Sequence, residues 1–62
     1  MNNAKKLANE YTKIGSKVEC VVTGNVGILF EINEDDPHYM YVRDSNTNQV
    51  YKYSDNTLYV IE

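Results

Sequence analysis

Hydrophobic and polar positions change their period once along this chain, near residue 16. Before it, Ala4, Leu7, Ala8, Tyr11 and Ile14 follow the three-four spacing of one helix face, while Lys5, Lys6, Asn9, Glu10 and Lys13 fill the other. Asn2 or Asn3 stands where a cap accepts from free backbone amides, and Gly15 stands where a left-handed residue ends a helix. The pattern predicts a helix of about three turns. A helix that short is unstable alone in water, so its apolar stripe is expected to dock on the remainder of the chain.

After residue 16 the chain reads as alternating or continuous apolar runs over 17–23, 26–33, 39–44, 49–53 and 57–61. Turn-forming clusters separate them: Gly24-Asn25, Glu34-Asp35-Asp36-Pro37, Ser45-Asn46-Thr47-Asn48 and Ser54-Asp55-Asn56. Short strands joined by tight turns predict a meander, and a small sheet protects its edges by curling into a partly open barrel. The expected core is Val18, Cys20, Val22, Ile28, Phe30, Ile32, Met40, Val42, Val50, Leu58 and Val60. The fourth run is ambiguous. Val50 shares its face with Lys52, and the opposite choice turns Tyr51 and Tyr53 inward.

Five of the six tyrosines lie between positions 39 and 59, four of them beside an aliphatic residue. In Tyr39-Met40-Tyr41-Val42 and Leu58-Tyr59-Val60, strand alternation sends the rings and the aliphatic side chains to opposite faces. A core that takes Met40, Val42, Leu58 and Val60 leaves an aromatic outer face, and tyrosine suits contact surfaces because it is large, stiff and polar at its tip.

Net charge is −3 but unevenly spread: residues 1–17 hold four lysines against Glu10, and residues 18–62 hold eight acids against Arg43 and Lys52. An acidic sheet is expected to repel phosphate, which leaves Lys5, Lys6, Lys13 and Lys17 as the route to any nucleic acid.

The segments Ile14-Gly15-Ser16-Lys17-Val18, Thr23-Gly24-Asn25-Val26-Gly27-Ile28, Tyr41-Val42-Arg43 and Leu58-Tyr59-Val60-Ile61 resemble the SH3-like small barrels, in particular the KOW type. The resemblance spans 14–61. It implies a five-stranded antiparallel SH3-like barrel over 16–62, which with the helix expected over 1–15 makes one mainly β domain over 1–62. Gly24 then takes the positive φ of a tight hairpin, and Gly27 lets a bent strand pass close to its neighbour. Such barrels bind RNA, DNA or proteins, and the tudor and SH3 relatives use aromatic surfaces. The turn here lacks the basic residues common in nucleic-acid binders. Size and composition are also similar to small accessory proteins of phages and other mobile elements.

Catalytic chemistry is thin. His38, the one histidine, follows Pro37 in a polar turn; one histidine and one cysteine cannot make a structural zinc site. Glu34, Asp35, Asp36 and His38 crowd one turn, and Asp44, Asn46 and Asn48 with Asp55 have the alternate spacing that opens a calcium loop, but Gln49 replaces the glycine of its sharp turn and such residues are ordinary turn formers. Cys20 lies in an apolar run and is expected to be a buried hydrophobe. No apolar leader or membrane-length stretch stands out, so the expected setting is the reducing cytoplasm. The sequence thus points to a regulatory or interaction module with no catalytic residue, metal or cofactor. Its expected partner is a protein, or a second copy, docked on Tyr39, Tyr41, Tyr51, Tyr53 and Tyr59, with Arg43 and Asp44 setting specificity. The alternatives are nucleic-acid binding in the KOW manner and an acidic mimic that inhibits a DNA-binding protein.

Overall fold

A computed structural model describes residues 6–61. Its strands are β1 (Lys6–Leu7), β2 (Lys17–Cys20), β3 (Val26–Ile32), β4 (Tyr39–Asp44), β5 (Val50–Ser54) and β6 (Leu58–Val60), with a 3-10 turn (Asp55–Thr57) before β6. All pair antiparallel in one six-stranded sheet of order β1-β6-β2-β3-β4-β5. Strands β2 to β5 form the expected meander. The chain then returns through the 3-10 turn to lay β6 along the other side of β2.

The expected N-terminal helix is replaced by a strand and turns. Lys6 and Leu7 pair with Val60 and Tyr59, and the Ala8 amide donates to the Leu58 carbonyl at 2.9 Å. Residues 9–12 turn on their own side chains: Asn9 Oδ1 accepts from the Tyr11 amide, and Thr12 Oγ1 accepts from the Asn9 amide. Three causes act together. Asn9 and Thr12 compete for the amides that a helix must bond internally, the helix is too short to hold by itself, and β6 gains a partner on a side that is otherwise bare. Of the proposed stripe only Ala8 is buried; Leu7, Tyr11 and Ile14 are exposed. Ala4, Lys5 and the capping asparagines lie outside the described residues. Gly15 does take a positive φ of 96°, but it closes a turn.

The five-stranded barrel is also corrected. Among the described residues the sheet has a sixth strand and does not close, because β1 and β5 are its two ends. One core still forms on its inner side, from Ala8, Val18, Cys20, Leu29, Met40, Val42 and Leu58, with Ile32, Tyr53 and Val60 packed against it.

Four expected core residues, Val22, Ile28, Phe30 and Val50, are exposed instead. In β3 the cause is a break in register between Leu29 and Glu31, where the ladder passes from Leu29↔Val42 to Glu31↔Tyr41. A bulge of this kind inserts one residue and shifts the phase. Counting inward positions back from Ile32 therefore reaches Phe30 and Ile28, whereas the strand buries Leu29 and Gly27. Val22 misses the core because β2 ends at Cys20, whose carbonyl accepts from Gly24 N at 2.7 Å and so starts the turn. That turn uses Gly24 at φ 77°, as the sequence suggests.

Candidate interaction surface

Directly opposed residues of an antiparallel ladder share a face, so the pairings define what the outer side presents. Lys17, Ile28, Arg43 and Val50 form one row across β2, β3, β4 and β5. Glu31, Tyr41 and Lys52 form the next, and Tyr39 and Ser54 a third. Toward the other end, Val26, Glu19, Tyr59 and Leu7 make a row across β3, β2, β6 and β1. The bulge turns Phe30 to this side as well, where the Arg43 guanidinium lies 5.1 Å from its ring centroid. Ile28, Phe30, Tyr39 and Val50 are 39%, 47%, 40% and 40% exposed and stand on three adjacent strands, with Arg43 between Ile28 and Val50 in their row.

Polar groups brace these rings. The Lys52 ammonium stands 4.6 Å from the Tyr39 centroid, so two cations cover two rings. Arg43 Nη1 also donates to the Asn48 carbonyl at 3.3 Å, and Asn33 Nδ2 donates to the Tyr41 hydroxyl at 3.3 Å. Each contact restricts the rotamers of the side chains it joins.

The residues expected to dock a partner divide between the two sides of the sheet. Tyr39, Tyr41, Arg43 and Tyr59 stand on the outer face. Tyr51 and Tyr53 oppose Val42 and Met40 and so belong to the core side, the alternative that the Val50/Lys52 ambiguity allowed. Tyr53 leans into the core, and burial, with nearby Cys20 and Asp44, raises its hydroxyl above the usual tyrosine range. Asp44 is 5% exposed; its Oδ1 accepts from the Asn46 and Thr47 amides at 2.7 and 3.1 Å and so shapes the β4–β5 turn.

Ile28, Phe30, Val50, Lys52 and Leu7 are the outer-face residues that sequence reasoning missed. The run Val26-Gly27-Ile28-Leu29-Phe30 carries no alternation that fixes which side is buried. Charge is redistributed too. Lys17, Arg43 and Lys52 share the outer face with Glu19 and Glu31, while Glu10, Glu34, Asp35, Asp36 and Asp55 sit in loops and the 3-10 turn. The face is therefore of mixed charge, not acidic.

A second feature is a shallow cleft of about 340 Å³ lined by Asn9, Glu10, Tyr11, Pro37, His38 and Asp55. His38 Nδ1 lies 3.1 Å from Asp55 Oδ2. Hydrogen bonding to Asp55, then attraction to Asp55, Asp36 and Glu10, raises the imidazole above its ordinary 6.5. With the His38 side chain 80% exposed, this is a solvated surface pair. In the loop beside it Asn33 Oδ1 accepts from the amides of Asp35 and Asp36, and Asp36 Oδ1 from that of His38, so the side chains shape the turn. Among the described residues no group of three or more histidine, cysteine or acidic side chains gathers as a metal set.

Cys20 is buried and unpaired. Burial pushes its thiol up, but hydrogen bonds from the Thr23 side chain and the amides of Thr23 and Val22 outweigh that and leave it below the usual cysteine range. No helix among the described residues is long and apolar enough to cross a membrane. No protein-family model, curated protein or solved structure matches the chain.

Proposed function

We propose that this chain is a non-enzymatic interaction module that docks a protein partner on the outer face of β3, β4 and β5. One observation carries the reading: Ile28, Phe30, Tyr39 and Val50 are exposed together on the side of the sheet opposite a complete core. Phe30, Tyr39 and Tyr41 supply contact area at its centre, and Arg43, Lys52 and Glu31 set specificity around them. A distant kinship with the small-barrel superfamily belongs to the same proposal. The Gly24-to-Gly27 turn and the return of the last strand beside β2 support it. A reducing cytoplasmic setting is also part of the proposal, and the buried free thiol of Cys20 suits it.

A second reading has its own support. Lys17, Arg43 and Lys52 alternate with Phe30, Tyr39 and Tyr41 on one face, the combination that holds single-stranded nucleic acid by charge and stacking. Of the N-terminal lysines, Lys17 belongs to this face.

The test is capture from nuclease-treated cell extract with the tagged chain, Phe30→Ser, Tyr41→Ser and the control Asn56→Ala. A protein held by the native chain and the control, and lost from two variants with unchanged unfolding midpoints, supports docking. Equal capture by all four removes the face from the argument. A parallel capture from untreated extract that binds where the nuclease-treated one does not favours the second reading.

A further inference from the structure

The end of the sheet at β5 carries hydrogen-bonding groups that no described strand takes up. At one end of the β4–β5 ladder the Asp44 amide donates to the Gln49 carbonyl at 2.8 Å, and at the other the Asp55 amide donates to the His38 carbonyl at 2.7 Å. Hydrogen-bonded pairs alternate along an antiparallel ladder. Between those ends Tyr51 and Tyr53 are therefore the residues that bond to β4, and the main-chain groups of Val50, Lys52 and Ser54 point away from the sheet. The Ser54 carbonyl is taken by the Thr57 hydroxyl at 2.7 Å. This leaves the N–H and C=O of Val50 and of Lys52 on an exposed edge, beside Tyr51 at 43% exposure. The segment Val50–Ser54 holds no proline, and Lys52 is its one charged residue. It is an edge with little to prevent further pairing.

We propose that this edge pairs with the same strand of a second copy, antiparallel, about a two-fold axis at Tyr51. The edge is self-complementary in that register alone. With the axis at Tyr51, Val50 meets Lys52 of the second copy and Lys52 meets its Val50, so each copy's outward N–H and C=O groups find partners. An axis at Lys52 sets two ammonium groups opposite each other and asks for the Ser54 carbonyl, which already accepts from Thr57. An axis at Val50 needs Asn48, which at φ 65° is outside the extended region. An axis between residues would present the Tyr51 groups, and these are bonded to β4.

In the Tyr51 register the two Tyr51 side chains form the close, non-hydrogen-bonded pair on the core side. An open groove of about 390 Å³, lined among others by Asn25, Asn46, Thr47, Tyr51 and Tyr53, gives the second ring room. On the other side the two outer faces join into one. So short an edge makes an interface below the standard size, and the expected dissociation constant is on the order of 10⁻⁴ M.

Cysteine placement and sedimentation test this together. Opposed non-hydrogen-bonded positions bring Cβ atoms to about 4.5–5.5 Å, close to disulfide geometry, whereas diagonal positions stay about 7–8 Å apart. Tyr51→Cys is expected to form a disulfide-linked dimer on mild oxidation, and Lys52→Cys and the native chain, whose Cys20 is buried, are expected to stay uncrosslinked. Lys52→Pro removes an outward N–H without touching the β4 ladder; it should keep the native circular dichroism and sediment as monomer where the native chain dimerises. A native chain that is monomeric at about 1 mM, ten times the expected constant, overturns the proposal. Crosslinking at position 52 in preference to 51 overturns it equally.

Discussion

Gly27 is the position where the least addition should do measurable harm. It lies on the core side of β3, opposite Asp44 on β4 and Val18 on β2. A Cβ built there overlaps the Arg43 carbonyl oxygen and comes within 2.6 Å of Val42 Cγ1 and 3.0 Å of the Arg43 carbonyl carbon. The first and last are backbone of β4, so relief requires moving a strand that also carries core residue Val42. Replacing glycine by alanine would by itself stabilise by about 0.4–1 kcal/mol through the unfolded chain. Overpacking opposes this with about 2 kcal/mol, the middle of its usual range, for a net loss of about 1–2 kcal/mol. In a domain this small each kcal/mol moves the midpoint by about 4–8 °C, so Gly27→Ala should melt about 4–16 °C lower by circular dichroism. The control is Gly24→Asn. Gly24 has a φ of 77° and open space around its missing Cβ, and asparagine tolerates the left-handed region, so little change is expected. A Gly27→Ala protein that melts at or above the native midpoint would refute the close approach of β3 to β4.

Three further outcomes rest on the same geometry. Leu29→Ser should cost about 2–5 kcal/mol in urea unfolding, while Ile28→Ser and Phe30→Ser stay within about 1 kcal/mol of native; the reverse order would restore the phase read from the sequence. Asp44→Ala should lose about 1–2 kcal/mol, because the Asn46 and Thr47 amides lose their acceptor, and a neutral result would deny Asp44 its part in the turn. His38 should titrate above 6.5 by NMR, and Asp55→Asn should return it toward 6.5. Since the folded value is the higher one, the pair's stabilisation is full below the unfolded pKa and is lost as pH rises through the folded one. A native midpoint at or below 6.5 contradicts the pairing.

The turns and the strands of the meander were legible in the sequence because their chemistry is local. Gly24 and the Asp44-to-Asn48 hairpin answer to local backbone demands that no distant residue alters, whereas Gly27 answers to the close approach of β4. Two features depend on distant partners and were hidden. The stripe of Leu7, Ala8, Tyr11 and Ile14 has a helical period, yet whether it forms a helix rests on the bonds that β6, about fifty residues later, offers to Lys6 and Leu7. The bulge after Leu29 lies in an unbroken apolar run, so periodicity gives no warning that the buried set changes phase. The outer face inherits both results. Tyr39, Tyr41 and Tyr59 were placed on it from alternation alone, whereas Phe30 and Ile28 were assigned to the core.

Site-specific photocrosslinking in cells probes the proposed docking of a partner where Phe30, Tyr39 and Tyr41 gather. A photoreactive phenylalanine analogue at position 30 or 41 should yield the same discrete protein adduct, resistant to nuclease, and the same probe at position 56 in the 3-10 turn should not. Adducts from position 56 alone, or none from positions 30 and 41, would contradict the account.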